Sequence, residues 1–91
     1  MKIGQIVKER YEILEILGEG GMAFVYKARD MQLERFVAIK TLKPNYVNQE
    51  TFVDRFKREA KTAANLNHPN IVQIFDWGIE KEPYFVMEYI E

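Results

Sequence analysis

The chain has no cysteine and only one histidine. Disulfides, thiolate metal sites and cysteine nucleophiles are excluded, and His68 alone cannot anchor a conventional zinc site. An excess of charge of one sign is also lacking. Thirteen Lys and Arg stand against 14 Asp and Glu, for a formal net charge of −1 and a sequence pI of about 5.9. No basic surplus marks the chain for nucleic acid or an anionic membrane. No apolar run approaches the roughly 20 residues that span a bilayer. The opening "MKIGQIVKERYEI" lacks the unbroken apolar stretch of a signal peptide. A cytoplasmic location is therefore expected. There is no internal repeat and no low-complexity segment.

What is present suits one small domain. At 91 residues, 47% hydrophobic and 30% charged, the chain can bury only about 60–70% of its unfolded surface, so modest stability is expected. Residues 11–17, "YEILEIL", read as a strand. Gly18, Gly20 and Gly21 interrupt it, and "FVYKARD" (24–30) resumes it, so a hairpin is expected. "RFVAIKTLK" (35–43) is a third strand, ended by Pro44. From 49 to 66 the period changes: Phe52, Phe56, Ala63 and Leu66 share one side of a helical wheel, with Asn48 as N-cap. "NHPN" (67–70) stops the helix, because a residue before proline disfavours helical geometry. "IVQIFDWGI" (71–79) and "PYFVMEYI" (83–90) complete the pattern as strands. Three strands, a helix and two strands predict an α+β layer: a five-stranded antiparallel sheet with one helix on one face.

One helix residue is out of place. Glu59 falls in the arc of Phe52, Phe56, Ala63 and Leu66, where a carboxylate is costly without a partner. The third strand offers one. Strand alternation puts Ala38 and Lys40 on one face and Val37 and Ile39 on the other. A Lys40–Glu59 pair accounts for both anomalies. Taken singly, each also fits a snorkelling lysine and a glutamate at a helix edge. An exposed ion pair contributes about 1 kcal/mol or less, so placing an ammonium to meet a phosphate is the better reason to keep it.

The glycines of "LGEGGMAFVYKA" (17–28) take meaning from that context. A dinucleotide fingerprint would open a helix, and this loop opens a strand. A G-x-x-x-x-G-K-[ST] phosphate loop has no match. What remains is a glycine hairpin lying over phosphates, with a lysine on the next strand.

With these residues in view, "GEGGMAFV", "VAIK", the glutamate of "FKREA", "HPNIV" and "FVMEYIE" resemble, in order and spacing, the N-terminal lobe of a protein kinase. "GGMA" and "MEYIE" look most like bacterial eukaryotic-like (Hanks-type) serine/threonine kinases. The resemblance implies a lead-in over 1–10 and a lobe over 11–91, with a glycine loop at 18–25, a helix at about 49–66 and a hinge at 88–91. It implies that Leu17 to Val25 (Leu17, Gly18, Glu19, Gly20, Gly21, Met22, Ala23, Phe24, Val25) cover ATP, with the glycine backbone close to the phosphates. Lys40 would hold the α- and β-phosphates and Glu59 would orient it. Leu17, Val25 and Ala38 would enclose adenine, Met87 would guard its rear, and Glu88, Tyr89 and Ile90 would supply hinge backbone. The four apolar residues also have a plain core reading.

Three features look chemical and are not so read. Ala23 stands where a third glycine would be, a loss of backbone room only. "FDWG" (75–78) mimics an Asp-Phe-Gly metal motif, but it follows "HPNIV" directly, which makes Asp76 a turn or strand-end residue and Trp77 a packing residue. His68 sits among turn residues and is structural. No metal ligand is expected from these residues; Mg2+ would enter only with the complete enzyme.

The 91 residues stop in the match to the hinge, without a catalytic-loop aspartate, a true Asp-Phe-Gly or an activation segment. The resemblance therefore implies an ATP-binding half whose partner is a kinase C-lobe and whose complete form phosphorylates protein Ser or Thr, as a cytoplasmic enzyme or the cytoplasmic part of a membrane-anchored receptor kinase. Alone it is expected to be inactive, to bind ATP weakly, to leave its adenine lining exposed, and to self-associate or form homodimers through the lobe. Two other readings stay open: a non-catalytic nucleotide-sensing or docking module, and a plain α+β scaffold, which leaves Lys40 and Glu59 unexplained.

Overall fold

A computed structural model describes residues 1–65 and 73–89 of the chain. Six strands form one antiparallel sheet: β1 (Ile6–Val7), β2 (Tyr11–Glu19), β3 (Ala23–Asp30), β4 (Arg35–Leu42), β5 (Ile74–Ile79) and β6 (Pro83–Glu88), in the order β1-β2-β3-β4-β6-β5. A 3-10 turn (Pro44–Tyr46) leads into the helix α1 (Glu50–Asn65). The expected α+β order holds, with one strand more than the five expected. The addition is β1, inside the segment read as a lead-in. A two-residue strand carries too little alternation to be visible in a sequence. The expectations for the side chain of Ala63, and for Leu66, the "NHPN" turn with His68, Ile90 and Glu91, lie outside the described residues.

Each face of the sheet has its own core. Val7, Tyr11, Ile13, Tyr26, Ala28, Val37, Ile39, Tyr84 and Val86 fill one, with Met1 packed against them. The N-terminal segment therefore covers a face of the sheet: Gly4 N–H donates to Ile13 O, Ile13 N–H to Gln5 O, and the Met1 amino group pairs with Glu82 at 2.8 Å. On the other face lie Ala23, Leu42, Phe56 and Phe85, with Val53, Ala60, Ile74 and Met87 around them. This face carries α1, whose Phe56 ring stands 5.0 Å from that of Phe85.

Local chemistry shows where the boundaries moved. The Phe52 and Val53 N–H groups both donate to Gln49 O, so α1 starts one residue later than an Asn48 cap would place it. In β2 the register shifts twice, between Ile13 and Glu15 and between Ile16 and Gly18. The shifts break the two-residue period, so Tyr11 and Ile13 are buried while Ile16 and Leu17 face solvent.

Two turns anchor the edge of the sheet. Asp30, at the end of β3, is fully buried and accepts from Arg10 Nε at 2.9 Å, Arg10 Nη2 at 2.8 Å, and the Gln32 and Leu33 N–H groups. The Arg10 hydrogen bonds, helped by the two backbone donors and opposed by burial, hold its carboxyl well below the ordinary range. The β1–β2 turn puts both Lys8 (φ 56°) and Glu9 (φ 54°) in the left-handed region, at a cost to side-chain-bearing residues.

Asp30→Ala is expected to lower stability by about 3 kcal/mol at neutral pH, read by chemical denaturation. Because the folded pKa is depressed, the Asp30 contribution is complete above about pH 4 and is lost as pH falls through the folded value, so the gap between variant and parent should close in acid. Glu9→Gly, which relieves the positive φ, is expected to raise stability by about 1 kcal/mol in the same measurement.

Candidate functional site

Strand register assembles one side of the candidate site. Across β3, β4 and β6, Val25 pairs with Lys40 and Lys40 with Phe85, while Lys27 pairs with Ala38 and Ala38 with Met87. Cross-strand partners share a face, so Val25, Ala38, Lys40 and Met87 lie together. It is the face on which α1 sits. Lys40 Nζ donates to Glu59 Oε1 at 2.5 Å and stands 5.9 Å from the centre of the Phe85 ring. The structure thus brings Lys40 and Glu59 together, but not in a dry core. The Glu59 side chain is 53% exposed and that of Lys40 26%. Glu59 belongs to the helix edge, because Phe56 on the same wheel arc already fills the contact with Phe85.

The glycine hairpin is extended nearly to its tip. Gly18 pairs with Val25 and Glu19 with Phe24, and Gly20 N–H donates to Ala23 O at 2.8 Å. None of these glycines has a positive φ. A Cβ built at Gly18 or Gly21 meets nothing within 4 Å, and one at Gly20 meets only Ala23 O at 3.9 Å. Neither backbone strain nor internal crowding explains three glycines here. The glycines leave open space beside the hairpin backbone. Ala23 has a reason of its own: its methyl is buried with Leu42, Phe56 and Phe85, so the position read as a missing glycine is a core position.

The residues matched to adenine are less exposed than expected of a half-site. Ala38 is 5% exposed, Val25 and Met87 are half-buried, and only Leu17, at 42%, stands open. Adjacent strands shield the three on β3, β4 and β6. Leu17 lies at a register shift that turns it out. Large apolar exposure is instead found at Ile3, Ile6, Leu33, Trp77 and Ile79. Of the hinge residues, Glu88 ends β6 and donates its N–H to Gln73 O at 2.9 Å. Tyr89 stands edge-on to Phe36 at 6.4 Å, with Lys27 Nζ 4.4 Å from the centre of the Phe36 ring.

"FDWG" is structural. Asp76 lies in the middle of β5 rather than at the turn or strand end expected of it, accepting from Lys8 Nζ at 2.8 Å and from Tyr11 Oη at 3.0 Å. Burial pushes the Asp76 pKa up, but the hydrogen bonds from Lys8, the Trp77 N–H and Tyr11 outweigh it and leave it lowered. Burial, reinforced by the bond to Asp76, pushes the Tyr11 phenol up to about 12. A Cβ at Gly78 would meet Tyr84 Oη at 2.6 Å, so this glycine is required by packing. Trp77 corrects the sequence reading: it is 62% exposed, on the outer edge strand, and borders a groove of about 550 Å3 between α1 and the β5–β6 hairpin. Among the described residues no group of three or more His, Asp or Glu could hold a metal ion. The sequence reading missed Lys43, which pairs with Glu19 at 2.8 Å. Its position just past a strand carries no periodic signal.

Residues 11–91 match the model of the protein kinase domain. A probable serine/threonine-protein kinase of Clostridium perfringens is 53% identical over 90 residues, which cover 98% of this chain and 13% of that protein. Serine/threonine-protein kinase PrkC of Bacillus subtilis is 52% identical over 92 residues, covering 100% of this chain and 14% of its own length. Among solved structures, the apo form of PpkA-294 superimposes with a TM-score of 0.87 at 26% identity, covering 98% of this chain and 38% of that one. The chain thus spans about one seventh of the length of these curated relatives.

The magnitudes separate two contacts of α1. Glu59→Ala removes a half-wet ion pair and is expected to cost less than about 1 kcal/mol. Phe56→Ala empties a buried contact and is expected to cost about 3 kcal/mol. Denaturation of both variants checks the ranking.

Proposed function

The chain belongs to the protein kinase domain family, and from that premise we propose that it is the ATP-binding lobe of a serine/threonine kinase of the bacterial Hanks type. In this reading the complete two-lobed enzyme transfers the ATP γ-phosphate to protein Ser or Thr. One observation carries the reading: Lys40 and Glu59 meet on the sheet face next to a hairpin whose three glycines serve no need of the chain itself.

The residues present fit a nucleotide. The N–H groups near Gly18, Gly20 and Gly21 would approach the phosphates, where a side chain would interfere. Lys40 supplies positive charge, and Glu59 holds that ammonium in one place before the anion arrives. Ala38, the smallest side chain beside Met87, leaves space for a planar base between Val25 and the hinge. When bound, ATP supplies the transferable phosphoryl group. The groups that position the accepting hydroxyl and hold Mg2+ are assigned to a second lobe, outside these residues. The proposed setting is the cytoplasm or the cytoplasmic side of a membrane.

A second reading, a non-catalytic docking or dimerising module, draws support from Ile6, Leu33, Trp77 and Ile79, which are large, apolar and more than half exposed. The two readings part on activity. In the two-lobed protein with Mg-ATP, phosphoryl transfer is expected, and Lys40→Met should reduce it by about 100-fold or more. No transfer by the two-lobed parent would sink the kinase reading in favour of the docking module. Residues 1–91 alone should bind ATP weakly and self-associate. Low-micromolar or tighter binding by a monomer in calorimetry would contradict that expectation.

A further inference from the structure

Lys43 has no part in the site as described, yet it touches the glycine hairpin in three ways. Its backbone N–H donates to Met22 O at 2.8 Å. Its Nζ pairs with Glu19 Oε1 at 2.8 Å and stands 5.0 Å from the centre of the Phe24 ring. The three contacts reach the end of β2, the tip, and the start of β3. Glu19 and Phe24 are themselves cross-strand partners, so a single side chain grips both arms.

Regular pairing cannot do this. The β3–β4 ladder ends at Ala23 opposite Leu42, and β2 has no pairing with β4. The outer arm of the hairpin is also weakened by the register shift between Ile16 and Gly18. Lys43 follows β4 directly in extended geometry (φ −63°, ψ 145°), and Pro44 starts the next turn, so the backbone that carries the ammonium is itself restrained.

We propose that Lys43 is a positioning residue for the nucleotide: through Glu19, Met22 and Phe24 it latches the glycine hairpin at a fixed height, gripping it from the face of the sheet opposite Lys40. The inference rests on the ATP-binding reading above. The latch is weak by construction. Glu19 is 59% exposed at its side chain while Lys43 is 17% exposed, so one end of the pair remains in water. A flap over a substrate has to lift for exchange, and a wet, salt-sensitive pair suits a contact that opens.

The test uses the two-lobed protein and the variants Lys43→Met, Glu19→Gln, their combination, and Lys43→Arg. Methionine keeps an unbranched stem against Phe24 and removes the charge. Lys43→Met and Glu19→Gln are each expected to raise KM for ATP about threefold at low salt, with the change in KM rather than kcat. The double variant should be no worse than either single one, because both remove the same interaction. Lys43→Arg should behave as the parent, and the difference should shrink in 1 M salt, where screening acts within about 3 Å. Amide exchange across residues 18–25 without nucleotide should be faster in Lys43→Met. An unchanged KM in Lys43→Met, or additive effects in the double variant, overturns the proposal. If the parent protein binds no ATP, the kinase reading falls and takes the nucleotide role with it. Exchange then still judges the latch itself, and unaltered protection in Lys43→Met overturns that as well.

Discussion

In β4, Val37 and Ile39 are fully buried on one face while Ala38, Lys40 and Leu42 occupy the other, and nearly every other contact answers to that division. A slip of one residue would drive Lys40 into the core of Tyr11, Ile13 and Tyr26 and push Ile39 toward the helix. Burying an unpaired ammonium is far more costly than any gain from a shifted ladder. The register of β4 is therefore strongly specified, and it passes to β3 and β6 through pairs on both sides. Lys40 is placed by its apolar neighbours more firmly than by its own charge.

The helix is added to that frame by apolar contact. Phe56 against Phe85, with Val53, Ala60 and Ile74 around them, docks α1 on β5 and β6. Glu59 then arrives at Lys40 as a consequence of docking, one helical turn further on. This order of causes explains how the ion pair can be half-exposed and energetically slight and still be well placed. The same division of labour holds at the hairpin: core packing of Ala23 sets its root, and wet polar contacts set its tip.

Much of the site was legible in the residues because its signals are local. Alternation in "FVAIKTL" separated Lys40 from Ile39, and helical period placed Glu59 within reach of the same strand face. The strand after the glycines was enough to discard the helix-opening nucleotide motifs. Where the local reading of Ala23 and Trp77 went astray, the missing information was a distant partner. Ala23 looked like a lost glycine until Leu42 and Phe85 closed around it. Trp77 looked like core until β5 proved to be the outer edge strand. Glu59 looked like a buried anomaly because a helical wheel shows direction but not depth.

By itself the sequence determined the α+β order, the hairpin of glycines, and the pairing of one lysine with one glutamate. All three follow from periodicities of two or 3.6 residues and from the cost of an isolated charge, which act within a few turns of chain. Only the tertiary structure decided that the segment 1–10 adds the strand Ile6–Val7 to the sheet, that Asp76 is occupied by Lys8 and Tyr11, and that Lys43 reaches across to Glu19 and Phe24. These contacts join segments up to 68 positions apart. Their geometry depends on strand order and on two register shifts, neither of which leaves a mark in local composition.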